Sequence, residues 1–191
     1  ICRDLRNLVA NHCVIESVEG RRAYDADGLS AYRQLPLAVV LPETVEEIAA
    51  VMKYCHREGI KVVPRGSGTS LSGGALPLAD AILVGLGKFN RILDIDYANR
   101  CVVSQPGVTN LAITHAVQAD GFYYAPDPSS QIACSVGGNV AENSGGVHCL
   151  KYGLTTNNLL GFELVTIEGE ILRLGGKHLD AGDYDLMGVM T

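Results

Sequence analysis

Two segments rich in glycine and hydroxyl side chains hold the residues whose types and spacing could do chemistry. The first, Pro64 to Gly74, reads PRGSGTSLSGG and directly follows an apolar strand candidate. Glycine lets peptide N–H groups converge on anionic oxygens without a Cβ in the way. Gly66 and Gly68, the hydroxyls of Ser67, Thr69, Ser70 and Ser72, and the guanidinium of Arg65 suit a diphosphate in a pocket of low charge. A structural turn with exposed serine and glycine is the other reading of this composition. Arg65 likewise faces a phosphate, fixes the loop, or makes a surface ion pair.

Familiar phosphate loops do not fit. Gly68 to Gly73 has P-loop glycine spacing, but Gly74-Ala75 stands where Lys and Ser/Thr should follow. Gly85-Leu86-Gly87 follows a strand candidate, yet Asn90 replaces the third glycine of the dinucleotide fingerprint, and another strand candidate comes next instead of a long helix.

The second segment, Tyr124 to Gly146, reads YAPDPSSQIACSVGGNVAENSGG. It is too rich in glycine for one regular element and too patterned for a flexible linker. His148 and Tyr152 follow it, and an imidazole there could serve a bound group or simply hydrogen-bond backbone in a crowded turn. The six cysteines and five histidines are scattered without a CxxC pair, so free thiols, no metal site and a reducing, cytoplasmic setting are expected.

These segments need elements to position them. Thr44 and Glu47 stand at capping-box spacing, and Val45, Ile48, Ala49, Met52 and Cys55 share a face, predicting a helix from about Thr44 to Glu58 stopped by Gly59. A strand over Ile60–Val63 should lead into the first loop. Further strands are expected at Ala81–Leu86, Ile92–Ile95 and Cys101–Ser104, with a turn at Ala98-Asn99-Arg100. A second helix runs from about Asn110 to Ala119, capped by Thr109 and ended by Gly121. Phe162–Ile167 and Glu170–Leu174 flank Glu168-Gly169, which reads as a two-residue hairpin turn. Strands and helices mix without strict alternation, so the fold class is α+β.

Composition narrows the partners. The chain has 191 residues, 47% hydrophobic and 19% charged, with a net charge of -6. That balance is globular and argues against nucleic acid or an anionic membrane as the main partner. No apolar run approaches the roughly 18 to 20 residues of a membrane span.

Taken together, PRGSGTSLSGG, PDPSSQIACSVGGNVAENSGGVHCLKYG and LLGFELVTIEGEIL, in this order, resemble the FAD-binding domain of the vanillyl-alcohol-oxidase or PCMH-type flavoproteins. The likeness is closest to the FAD-binding subunits of bacterial glycolate oxidases, and DADGLSAYRQLPLAVVLPETVEEI adds to it. The resemblance implies two α+β subdomains with FAD between them, at about 31–96 and 97–191 after a lead-in over 1–30. It implies that Arg65, Gly66, Ser67, Gly68, Thr69 and Ser70 wrap the pyrophosphate, and that Pro126 and Asp127 pass near the flavin ring. Ser135, Gly137, Gly138, Asn139, Asn143 and Gly146 would line the cofactor, with His148 nearby and Ile167 toward the adenosine. Many covalent members carry a histidine at about the position of Thr69, so non-covalent FAD is expected here.

The family further implies oxidation of a 2-hydroxy acid such as glycolate or D-lactate to the 2-oxo acid, with electrons passed to a partner subunit or another acceptor. Alternatives are an FAD-linked D-lactate or D-2-hydroxyglutarate dehydrogenase, or a nucleotide-binding module without catalysis. The sequence reads as the N-terminal part of something longer, with the catalytic acid and base and the substrate domain expected further on. Any membrane association would be peripheral, through partners.

Overall fold

The computed structural model describes residues 1–177 and 184–191, and His178 lies outside them. The chain divides into two compact units, one of residues 1–88 with 165–172 and one of 89–164 with 173–191.

The first unit is built on a four-stranded sheet in the order β1 (Val14–Ile15), β2 (Ala38–Val40), β4 (Ala81–Gly85), β3 (Lys61–Arg65). β4 runs parallel to both neighbours, with Val39 opposite Leu83 on one side and Val63 opposite Leu83 on the other. All five residues of β4 are buried, as a central strand with parallel neighbours requires, which is why AILVG is continuously apolar. β1 adds antiparallel to β2, pairing Val14 with Val40. Leu5, Cys13, Val40, Val51, Cys55, Ile82 and Val84 form the core against this sheet. Each large aliphatic side chain fully buried there stabilises the fold by roughly 1.5–3 kcal/mol.

The long helix α3 (Val45–Glu58) joins β2 to β3 and follows the capping argument closely. Thr44 Oγ1 accepts from the Glu47 N–H at 3.2 Å. Glu47 Oε2 reaches back to the Glu43 N–H at 2.6 Å, one residue ahead of the expected partner. Gly59 closes the helix in the left-handed region, φ 64°. Tyr54 on α3 donates to Asp4 at 2.9 Å on the short helix α1 (Cys2–Leu5), and burial with that carboxylate pushes the phenol up to about 12. A further short helix, α2 (Val18–Arg22), follows β1.

In the second unit β5 (Ile92–Asp96) and β6 (Cys101–Ser104) pair antiparallel, and Arg100 adopts a positive φ of 54° in the turn between them. α4 (Asn110–Val117) is capped by Thr109, whose Oγ1 accepts from Ala112 at 3.2 Å; it tightens into a 3-10 turn over Gln118–Asp120 and stops at Gly121. α5 (Val136–Glu142), α6 (Cys149–Tyr152) and α7 (Leu186–Met190) are short. Strands β7 (Gly161–Val165) and β8 (Ile171–Gly175) form the hairpin, whose tip over 165–172 is counted with the first unit.

The α+β class and the main elements match expectation, with two differences. The segment expected to be irregular contains α5. The hairpin turn is longer than two residues, because a two-residue type I′ turn needs positive φ at both central positions and only Gly169, at φ 79°, has it. Instead Gly169 donates to Thr166 O at 3.0 Å, and Thr166 donates to Glu170 O at 2.9 Å.

Candidate functional site

The first glycine-rich loop leaves the sheet where β3 ends beside β4, with Arg65 opposite Gly85. That is the carboxyl end of the parallel strands, where open sheets of this kind take their ligands. Arg65 turns under its own loop: Nη1 donates to Ala26 O at 2.7 Å and Ala75 O at 3.4 Å, and the guanidinium lies 5.8 Å from the Tyr24 ring centroid. Burial draws its pKa below the usual value, opposed mainly by Asp27. Arg65 therefore fixes the loop.

Gly68 sits on that guanidinium. A Cβ there would lie 2.3 Å from Nη2, and its φ is 68°, so both space and backbone require glycine. Gly28 closes the other side, where a Cβ would lie 2.6 Å from Thr69 O. Ser70 Oγ is engaged locally, 2.8 Å from Ser72 Oγ and accepting from the Ser72 N–H at 3.2 Å. Ser67 is exposed and Gly66 half-buried. The peptide N–H groups of Gly68 and Thr69 have no backbone acceptor among the described residues. Two adjacent donors of this kind, on a loop fastened from below by Arg65, are of the type that suits an anion.

The second segment is anchored by a buried polar cluster. Asn110 Nδ2 donates to Pro126 O at 2.8 Å, and Asn139 Nδ2 donates to Asn110 Oδ1. Cys134 Sγ lies 3.6 Å from both Asn110 Oδ1 and Asn139 Nδ2. Asn139 is 3% exposed, so its side chain points into the unit and holds α5 in place. Ser135, also buried, precedes α5, and Gly137 lets the helix approach residue 106: its N–H donates to Pro106 O at 2.8 Å, and a Cβ would lie 2.5 Å from Pro106 Cβ. Gly138 is less constrained, since a Cβ there would meet only Ser135 Oγ, at 3.2 Å. Asn143 ends α5 at φ 47°, and its Oδ1 accepts from Thr156 at 3.0 Å.

Beyond Asn143 the loop turns past Asp127. Gly146 packs so closely that a Cβ would lie 2.2 Å from both the Asp127 carbonyl and carboxylate oxygens. The Asp127 carboxylate accepts from the His148 N–H at 3.3 Å and lies 2.6 Å from His148 Nδ1. Pro126 is buried beside it. Tyr123, His148 and Tyr152 gather with ring centroids 6.1 to 6.4 Å apart, and Lys151 Nζ stands 4.8 Å from the Tyr152 centroid. Lys151 and Tyr123 hold the Tyr152 phenol below its ordinary range. Gly145, Gly146 and Val147 present N–H groups without an acceptor among the described residues. Val147 and Leu150 beside them are 84% and 99% exposed.

Of the expected site residues, Gly68, Thr69 and Gly146 offer backbone donors, while Arg65, Asn139 and Asn143 act as supports. Asp127 and His148 form one pair. Ile167 lies in the β7–β8 turn, exposed. The sequence reading missed Gly28, Pro106, Asn110, Cys134 and Tyr123, which contribute by packing or hydrogen bonding across the fold and carry no local motif.

Each set, taken within its own unit, suits part of a dinucleotide such as FAD. Glycine positions that no Cβ could enter frame N–H donors suited to phosphate oxygens, and exposed aliphatic and aromatic groups stand beside the second set for an apolar ring system.

Comparison with known proteins agrees. Residues 36–175 match the family described as FAD binding domain. The chain is 54% identical over 187 residues to the glycolate oxidase subunit GlcD of Escherichia coli K12, covering 98% of this chain and 38% of that protein. It is 30% identical over 184 residues to the D-2-hydroxyglutarate dehydrogenase of Stutzerimonas stutzeri, covering 96% of this chain and 40% of that one. The solved alkyldihydroxyacetonephosphate synthase superposes with a TM-score of 0.84 at 19% identity, over 98% of this chain and 36% of that chain, a likeness of fold. The chain thus spans about two fifths of the length of these curated relatives.

Proposed function

The chain belongs to the FAD binding domain family, and on that premise we propose that it holds FAD non-covalently as the cofactor part of an enzyme oxidising a 2-hydroxy acid to its 2-oxo acid. What supports this reading is a backbone turn in each unit, Gly68-Thr69 in the first and Gly145 to Val147 in the second, whose N–H groups lack backbone acceptors among the described residues. Gly66, Ser67, Gly68, Thr69 and Ser70 serve the pyrophosphate, with Arg65 fixing the loop. Pro126, Asp127, Gly146 and His148 face the ring system. Ser135, Gly137, Gly138, Asn139 and Asn143 hold the second turn in shape, and Ile167 serves the adenosine end.

Bound FAD would supply the redox chemistry by accepting hydride from the substrate carbon. The protein's share is placement. Asp127 fixes the orientation of the His148 ring by holding Nδ1, which leaves Nε2 to face a bound group. Thr69 offers no imidazole for a covalent flavin bond, so acid precipitation should release all flavin into the supernatant; flavin left in the pellet would contradict the non-covalent reading.

Glycolate is the favoured substrate, since the relative at 54% identity is a glycolate oxidase subunit, and D-lactate is the close chemical alternative. Electrons would leave through other subunits of such a complex, at the cytoplasmic side or peripheral to the membrane. Among the described residues no helix is long and apolar enough to cross a membrane. Anaerobic addition of glycolate to the flavin-loaded protein should bleach the flavin band in the complete enzyme. Bleaching by D-2-hydroxyglutarate and not by glycolate would reassign the substrate.

A further inference from the structure

The first unit carries a side-chain cluster that flavin binding leaves unused. His12 Nε2, Cys13 Sγ and a Glu43 carboxylate oxygen all lie within 4.8 Å of one another. His12 and Cys13 occupy the 3-10 turn Asn11–Cys13 that leads into β1, and Glu43 stands just ahead of α3. The sheet brings these distant residues together: the Leu41 N–H, following β2, donates to Cys13 O at 2.8 Å. Lys88 reaches into the cluster, with Nζ 2.7 Å from Glu43 Oε1 and 3.2 Å from Cys13 Sγ. His12 Nε2 lies 3.2 Å from the same Oε1. An ammonium is thus already held where the potential ligands converge.

We propose that His12, Cys13 and Glu43 form a binding site for a thiophilic divalent cation of the zinc type, which Lys88 fills when the metal is absent. The metal takes the place of the ammonium, bound by His12 Nε2, Cys13 Sγ and one Glu43 oxygen, with water at the fourth position. Lys88, whose side chain is 31% exposed, swings out to solvent. The Cys13 thiol loses its proton to solvent as the metal–sulfur bond forms, so binding releases one proton.

Three features support the assignment. Ligands about 2.0–2.3 Å from a tetrahedral ion stand roughly 3.3–3.8 Å from each other, so the His12–Glu43 edge is already close to the needed length. Nitrogen, sulfur and oxygen donors together select zinc-like ions over magnesium or calcium. The charge also balances: one dication between a thiolate and a carboxylate is neutral, as is the Lys88–Glu43 pair it replaces. Cys13 is fully buried in the core, so its position is set before any metal arrives.

Zinc titration of the chelator-treated, flavin-loaded protein by calorimetry tests this, run in buffers of different ionisation enthalpy to count protons. We expect one ion per chain and one proton released. Lys88→Met should tighten binding about tenfold, because the competing cation is gone, and His12→Ala and Cys13→Ser should each weaken it at least about tenfold. His12 is an exposed side chain, so its variant folds even if the buried cysteine variant does not. Absence of one-to-one binding in Lys88→Met, or binding untouched by His12→Ala, would overturn the site and leave only an ion pair.

Discussion

Gly146 stands where Asp127 leaves no room for a side chain, and the same carboxylate holds His148. Gly146→Ala should therefore cost about 1–3 kcal/mol of stability and at least about tenfold in flavin affinity, read by thermal melting and flavin titration. Gly138→Ala is the contrast. Its Cβ would meet only the Ser135 hydroxyl, inside a helix where alanine is favoured by up to about 1 kcal/mol, so stability should hold or rise. Equal damage from both would mean that close packing at Asp127 is not what shapes the turn. His148→Ala should leave FAD bound but shift its reduction potential, and an unchanged potential would make the Asp127–His148 pair purely structural.

At the scale of elements, α3 and α5 differ in how they are specified. α3 carries its own signals, an apolar stripe with Thr44 at one end and Gly59 at the other, and its bounds could be read directly. α5 contains Gly137-Gly138 and lacks a side-chain cap, so local propensity opposes it; it forms because Gly137 fits against Pro106 and Asn139 joins a buried amide cluster. None of those partners is near in sequence. The same reason explains the site: the first glycine-rich segment could be read from its residues as a candidate diphosphate loop and the second only through its family resemblance, while the inward turn of Arg65 and the burial of Asn139 depend on Ala26, Ala75 and Asn110.

Asn139→Ala should cost about 1–3 kcal/mol, since it leaves the buried Asn110 carbonyl with a poorer donor. α3 also gives a pH signature. The Tyr54 phenol titrates at about 12 when folded and near 10 when unfolded, so its contribution is full below pH 10 and is lost as pH rises toward 12. Tyr54 should contribute up to about 1.4 kcal/mol per pH unit to the fall of stability across that window, beside half-buried Tyr124, also pushed up to about 12. In denaturant melts, Tyr54→Phe should therefore make the slope shallower without abolishing it. An undiminished slope in the variant would assign it wholly to other groups.

For the molecule as a whole, a net charge of -6 agrees with the proposed grip on an anionic cofactor by peptide N–H groups in place of a basic patch. Backbone recognition of a pyrophosphate makes a specific claim about which ligands bind. FAD and ADP carry the diphosphate, whereas riboflavin carries only the ring system. The direct test is the melting temperature of flavin-free protein with each added in turn. FAD at about 100 times its dissociation constant should add about 2.7 kcal/mol of stability, ADP a smaller but clear gain, and riboflavin nearly none. Stabilisation by riboflavin equal to that by FAD, or none by FAD, would contradict the account.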